Sequence, residues 1–316
     1  MNSKLFSIVF LLFTFSGFSQ SLNDKKIYLD SLSNETIEGN HKYYKIIKDY
    51  YNNQKEYKIS IYYKNDKLKK EMMLNGKDGG LPIGEEINYY ENGGKKNVIN
   101  YFNGRPTGIT SCWYENGNKK LDGEYIEDKK SFSAELKINQ FWNIENIQTV
   151  VDGNGNYEEM EENSFASGKV KNGFKDGAWE GYDKKLNYTF TENYENQKFI
   201  SGISIDSKKA SHHYKVVNLK PEPRNGIMDF YKFVMKNFQL SNNVPKGKEG
   251  KVLIRFVIDE EGKIVEPEIV KSIGYGAEEE AIRMLLSFPE NWNSGQIRGI
   301  NVRCSFTLPI VIQSSY

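Results

Sequence analysis

The chain has 316 residues, enough for two domains or one domain with repeats at about 100–200 residues per domain. Its 43 Lys and Arg almost cancel 42 Asp and Glu, and the formal charge of +1 argues against nucleic acid or an acidic membrane held by bulk charge. Only 38% of residues are hydrophobic, yet 14% are aromatic, which is too many for a disordered chain and suits twisted sheets with one wet face.

In chain order, Lys4 precedes an apolar run from Leu5 to Phe18, and Gly17 and Ser19 stand at signal-peptidase spacing. Those 14 residues make roughly 21 Å of helix against a bilayer core of about 30 Å. The spacing predicts a cleaved signal peptide at 1–19, hence an exported, periplasmic chain, with an uncleaved inner-membrane anchor as the alternative. Residues 20–56 are polar and Tyr-rich and are read only as an N-terminal lead-in.

From 57 to 206 the sequence repeats itself. Tyr90-Glu91-Asn92-Gly93-Gly94-Lys95-Lys96 is echoed by Tyr114-Glu115-Asn116-Gly117-Asn118-Lys119-Lys120, and more weakly by the run from Tyr63 to Lys70. Leu74-Asn75-Gly76, Phe102-Asn103-Gly104 and Asn172-Gly173-Phe174 supply linking pieces, and Tyr194–Lys198 echoes the first half. Asn-Gly provides the positive-φ pair of a tight I′ turn, and flanking aromatics fill strand positions. Serial hairpins stacked into an elongated sheet are therefore expected, each sharing its apolar face with its neighbours. The Tyr-Tyr-Glu-Asn-Gly-x-Lys-Lys unit resembles the MORN-type repeats of the YwqK-like family over about 57–205, with 125–165 poorly matched. An array of this kind has no inherent pocket, and its role is read as a scaffold or a binding surface.

Residues 207–225 read as a linker stiffened by Pro221-Glu222-Pro223. A compact α+β pattern follows at 226–316. Ile227, Phe230, Tyr231, Val234 and Phe238 recur at helical spacing. Val252, Ile254, Phe256 and Ile258 then alternate as a strand, and Asp259-Glu260-Glu261-Gly262 turns it into a hairpin partner at 263–271, where Pro267 predicts an edge or a bulge. Gly274-Tyr275-Gly276 opens a second helix with the stripe Ala277, Ala281, Ile282, Leu285 and Leu286, and Pro289 closes it. The last strand alternates Val302, Cys304, Phe306, Leu308 and Ile310 with Arg303, Ser305, Thr307 and Pro309.

This order, with Phe256–Ile264, Ala277-Glu278-Glu279-Glu280-Ala281, Phe288-Pro289-Glu290-Asn291-Trp292 and Gly299–Ile310, resembles the C-terminal domain of TonB-type energy transducers. The fold expected is mainly β: a serial MORN-like hairpin sheet followed by a small domain of three strands and two helices. The resemblance implies a partner, the TonB box of an outer-membrane receptor, that pairs with the last strand at Val302, Arg303, Cys304, Ser305, Phe306, Thr307 and Leu308. It also implies the ExbB/ExbD motor as a further partner of membrane-anchored members. A homodimer through the same edge, or a non-energised scaffold whose last domain caps the array, is the alternative.

Catalysis is not expected. Three His and two Cys leave few parts for a triad or a metal site, and no serine elbow or paired-carboxylate pocket is visible. Adjacent His212 and His213 do not converge on a metal. Asp152-Gly153-Asn154-Gly155-Asn156 starts like a calcium loop, but Tyr157 stands where Gly is needed and Asn163 where a bidentate Glu is needed, so a polar turn is the better reading. No cofactor is expected, and Cys112 and Cys304 read as two free thiols, with a disulfide left open.

Overall fold

The computed structural model describes residues 23–128, 133–195, 197–239 and 249–313; the expected signal peptide at 1–19 lies outside them. The chain divides into two units, Met1–Asp152 and Gly153–Tyr316.

The first unit is a run of hairpins. It contains β1 (Lys25–Leu29), β2 (Glu35–Thr36), β3 (Tyr43–Ile47), β4 (Tyr57–Tyr63), β5 (Leu68–Leu74) and β6 (Pro82–Tyr89). It continues with β7 (Lys95–Phe102), β8 (Arg105–Trp113), β9 (Lys119–Asp128), β10 (Ser133–Trp142) and β11 (Gln148–Val151). From β3 onward each strand pairs antiparallel with the next, and β1 joins β3. The lead-in at 20–56 therefore supplies strands to the same array.

The repeated motif has a structural reason. The Tyr63 hydroxyl donates to the Tyr89 carbonyl (2.9 Å), Tyr90 to the Trp113 carbonyl (2.8 Å) and Tyr114 to the Trp142 carbonyl (2.9 Å), so each turn is tied to the next repeat. The lysine six positions on lies over the same ring: Lys69 over Tyr63 at 5.6 Å, Lys96 over Tyr90 at 5.6 Å and Lys120 over Tyr114 at 5.4 Å. Two turn types carry the Asn-Gly pairs. Asn103-Gly104 and Asn172-Gly173 have both residues at positive φ, the expected I′ geometry. In the Tyr-Glu-Asn-Gly turns only Gly93 and Gly117 enter the left-handed region, and Asn92 and Asn116 instead accept an amide two residues on through their side chains. Those turns are type I with a G1 bulge, because the Asx turn holds the asparagine at negative φ.

The second unit opens with six further strands of the serial type: β12 (Asn154–Met160), β13 (Ser164–Lys171), β14 (Phe174–Asp183), β15 (Tyr188–Glu195), β16 (Lys198–Ile205) and β17 (Ser211–Tyr214). Among the described residues the hairpin strands number 17. The stretch 207–225 holds β17 and then β18 (Asn218–Leu219) and β19 (Glu222–Pro223).

Beyond it stand α1 (Ile227–Asn237), β20 (Glu249–Ile258), β21 (Ile264–Lys271), α2 (Ala277–Leu286), β22 (Trp292–Asn293), β23 (Gly295–Ile297), β24 (Ile300–Val302) and β25 (Cys304–Gln313). Val252, Ile254, Phe256 and Ile258 are each fully buried, as their alternation demands. They pack with Phe230 and Val234 of α1, Ala277, Ala281, Met284 and Leu285 of α2, and Trp292. Met284 rather than Leu286 completes the α2 stripe, and Leu286 is 54% exposed. Pro267 lies on the edge strand β21 beside a register shift, with Glu266 at positive φ.

Candidate functional site

The three-stranded sheet runs β21-β20-β25, so among the described residues β25 pairs with β20 alone. Its outer margin is an open strand edge. The short strands of 207–225 pair elsewhere: β18 with β23, and β19 with β22.

Proline fixes which backbone groups face outward. The β20–β25 ladder runs without a register shift from Ile258↔Cys304 to Glu249↔Gln313, and Pro309 stands opposite Leu253. Proline has no N–H to give, so this is a non-hydrogen-bonded pair, and the pairs two residues away are of the same kind. Ser305 opposite Val257, Thr307 opposite Arg255 and Val311 opposite Lys251 therefore turn their N–H and C=O groups to the open side. Pro309 contributes only a carbonyl there. The even positions bond to β20 and send Leu308, Ile310 and Ile312 into the core.

Of the seven expected contact residues, Cys304 to Leu308 lie on β25, whereas Val302 ends β24 and pairs with Gly295. Arg303 sits at the break, its guanidinium 2.6 Å from Glu266, which holds its pKa above the usual arginine value. Phe306 is half-buried, with Phe256 and Trp292 each 5.3 Å away between ring centroids. Leu308 is buried. Cys304 and Cys112 are free thiols, and burial pushes both up in pKa.

A groove of about 1140 Å³ runs along the Cys304–Thr307 edge. Its other walls were not foreseen from sequence: Lys185 and Leu186 of the β14–β15 turn, Leu219 at the end of β18 and Lys220 after it, and Ile297 and Ile300 of the β23–β24 hairpin.

That hairpin is anchored by Arg298. Arg298 and Gly299 form its turn with φ of 51° and 76°, an I′ geometry in which an arginine takes the place usually held by Asn. The turn backs closely onto β17, where a Cβ on Gly299 would stand 3.2 Å from that of His212. The Arg298 Nε lies 2.8 Å from Glu192 Oε1, its Nη1 3.2 Å from the Tyr188 hydroxyl, and its guanidinium carbon 3.7 Å from the centre of the Phe190 ring. Glu192 is fully buried on β15 and also accepts the Tyr214 (3.0 Å) and Tyr194 (2.8 Å) hydroxyls. Burial, and after it the Glu192 charge, pushes both phenols well above the usual tyrosine value. Burial alone would lower the Arg298 pKa, but the Glu192 charge and the Tyr188 hydroxyl raise it on balance. The Arg298 amide donates to the Val217 carbonyl (2.7 Å) and its own carbonyl accepts Ser204 Oγ (2.7 Å). The last small domain is thus pinned to the final hairpins of its own unit.

Among the described residues no group of His, Cys, Asp and Glu is placed to hold a metal ion, and no helix is long and apolar enough to cross a membrane. His212 is instead 3.0 Å from Asp206, and His213 occupies the next strand position, facing the other way.

Residues 243–311 match the family model of the Gram-negative bacterial TonB protein C-terminal domain. The match takes in β20, β21, α2 and the strands through most of β25. No curated protein matches the chain, and no solved structure does.

Proposed function

We propose that the chain is a periplasmic, non-enzymatic docking protein whose β25 edge receives an extended segment, the TonB box of an outer-membrane receptor, in the service of energy-dependent transport across the outer membrane. The observation that carries this is the set of outward backbone groups on Ser305, Thr307 and Val311, the first two beside an open groove. The family match over 243–311 supports the same reading. In it the hairpins are a MORN-type array that carries the docking domain.

The energetics favour reversible capture. An incoming strand over Ser305–Pro309 meets two N–H and three C=O groups, at about 0.5–1.5 kcal/mol each or roughly 2.5–7.5 kcal/mol together. Ordering five residues costs roughly 5–10 kcal/mol at about 1–2 kcal/mol apiece. Main-chain pairing alone falls short, so side-chain contacts decide whether a segment stays.

Thr307→Pro tests the edge directly. It removes one outward N–H and leaves the β20 ladder whole, so TonB-box-like peptides are expected to bind about tenfold or more weakly at nearly unchanged stability. Pro309→Ala restores an outward donor and is expected to tighten binding about fivefold, the equivalent of about 1 kcal/mol. Peptide affinity indifferent to both substitutions would show that the segment docks elsewhere. A retained segment before Gln20 at the mature N-terminus would bring the ExbB/ExbD motor in as a partner; its removal would leave passive docking.

The burial of Arg298 against β15 favours a second reading, in which the small domain caps the array. Capping uses the β23–β24 hairpin and leaves β25 free. A chain that caps but does not dock would bind no such peptide.

A further inference from the structure

We infer that the groove beside β25 is a two-walled peptide reader, in which the array and the joint after it select an acidic side chain on the incoming segment through Lys185 and Lys220. This rests on the strand-addition reading above and goes beyond it: the array becomes part of the recognition site.

Three observations carry it. The groove is built from two kinds of surface, the β25 edge on one side and the β14–β15 turn with residues 218–221 on the other. Those surfaces have a fixed relation, because Arg298 joins the β23–β24 hairpin to Glu192 on β15, the strand that leaves the β14–β15 turn. A segment paired to Ser305 and Thr307 therefore passes a preformed wall and pays little further ordering cost for contacting it. The third observation is charge. Arg303, beside the edge, is already engaged by Glu266 at 2.6 Å and lies in the field of Asp259 and of Glu260, which also lines the groove. The Asp183 carboxylate accepts the Leu186 amide at 2.9 Å and so shapes its own turn. Lys185 and Lys220 are exposed and, among the described residues, neither forms an ion pair. Beside them Leu186 is 38% and Leu219 46% exposed, a place for an apolar side chain next to the acidic one.

The occupant is thus an extended segment with apolar residues at alternate positions and a carboxylate within reach of the two lysines. Opposite charges at a half-open rim attract modestly, and the attraction weakens with salt. Main-chain pairing alone falls short, so even a modest attraction at this wall bears on which segment stays.

The test uses the mature full chain and two fluorescein-labelled probes, Ser-Glu-Val-Thr-Val-Thr-Gly and its Lys-for-Glu counterpart, with affinity read by anisotropy at low and high salt. The acidic probe is expected to bind about tenfold tighter than the basic one at low salt, with the difference shrinking at high salt. The double variant Lys185→Glu/Lys220→Glu is expected to reverse that order with no change in melting temperature, since both side chains are exposed. If both probes bind alike, are indifferent to the double variant and are lost on Thr307→Pro, the docking edge stands and the array wall is refuted. If neither probe binds, or Thr307→Pro leaves both affinities unchanged, strand addition itself is refuted and this inference goes with it.

Discussion

Replacing Arg298 by methionine isolates the contact that joins the small domain to its hairpins. The substitution keeps most of the apolar stem and the turn backbone, and the main-chain bonds to Val217 and from Ser204 remain available. What it removes is the cation facing Glu192, whose side chain is 1% exposed against 21% for the arginine. Leaving a buried charge without its partner costs about 3–5 kcal/mol, and the partial exposure of Arg298 places the expected loss near about 3 kcal/mol. Two tyrosine hydroxyls still solvate the carboxylate, which is why the upper end is not expected. The magnitude corresponds to a more than hundredfold larger open population.

Hydrogen exchange localises this effect. Amides of β15–β17 and of the β23–β24 hairpin should lose protection together, while β20 keeps its own. The double variant Glu192→Leu/Arg298→Met should recover most of the loss, because removing both partners leaves no stranded charge. A single variant that costs under about 1 kcal/mol and exchanges like the parent would mean that water reaches Glu192, and the domain would not be locked to the array.

Tyr90→Phe removes the hydroxyl that reaches the Trp113 carbonyl and should lower stability in urea by about 0.5–1.5 kcal/mol, with increased exchange confined to the flanking hairpins. Gly262→Ala should destabilise the small domain by about 2 kcal/mol or more, seen as a fall in melting temperature, since φ is +81° there and a Cβ would meet the Trp292 carbonyl oxygen at 1.9 Å. Glu278 accepts the Ser272 hydroxyl and then the Gly274 and Ile273 amides at the start of α2, which hold its carboxyl below the usual 4.5. A depressed folded pKa stabilises above the unfolded value and the benefit fades as pH falls through the folded one. Glu278→Gln should therefore cost about 0.3–1 kcal/mol at neutral pH and nothing in strong acid, measured by urea titration across the acid limb.

The small domain was readable because its signals are local. Alternation over Val252–Ile258 marks a strand buried on one face, and the Gly262 turn returns the chain to its neighbour. Gly276 and Pro289 bracket a helix with an apolar stripe. The array was readable only where the tyrosine rungs recur. In the described parts of 125–165 the hairpins continue without the motif, because β10 pairs with β11, and β12 with β13, through backbone and need no repeated side chain. The same holds for β1 to β3, whose aromatic pairs, such as Tyr44 stacked on Tyr62 at 5.0 Å, carry no spacing signature. The strands at 218–223 were illegible because they are two residues long and their partners lie far along the chain.

The groove illustrates the remaining difficulty. Its edge could be derived from one alternating strand, but its opposite wall depends on Arg298 and Glu192, 106 positions apart. Neither residue is conspicuous alone. Yet Tyr188, Phe190, Glu192 and Tyr194 follow a period of two, so the glutamate falls on a run of aromatic positions. An acidic residue in such a run must find a cation or surrender its charge. Arg298 sits with Gly299 between two short strand patterns, where a two-residue turn would project its side chain away from its own sheet. Two local irregularities of complementary sign were thus present in the sequence, and only the folded register shows that each resolves the other. If their coupling proves weak in the double-variant cycle, the array wall loses its fixed place beside β25, and selection of an acidic segment would have to come from the edge strand alone.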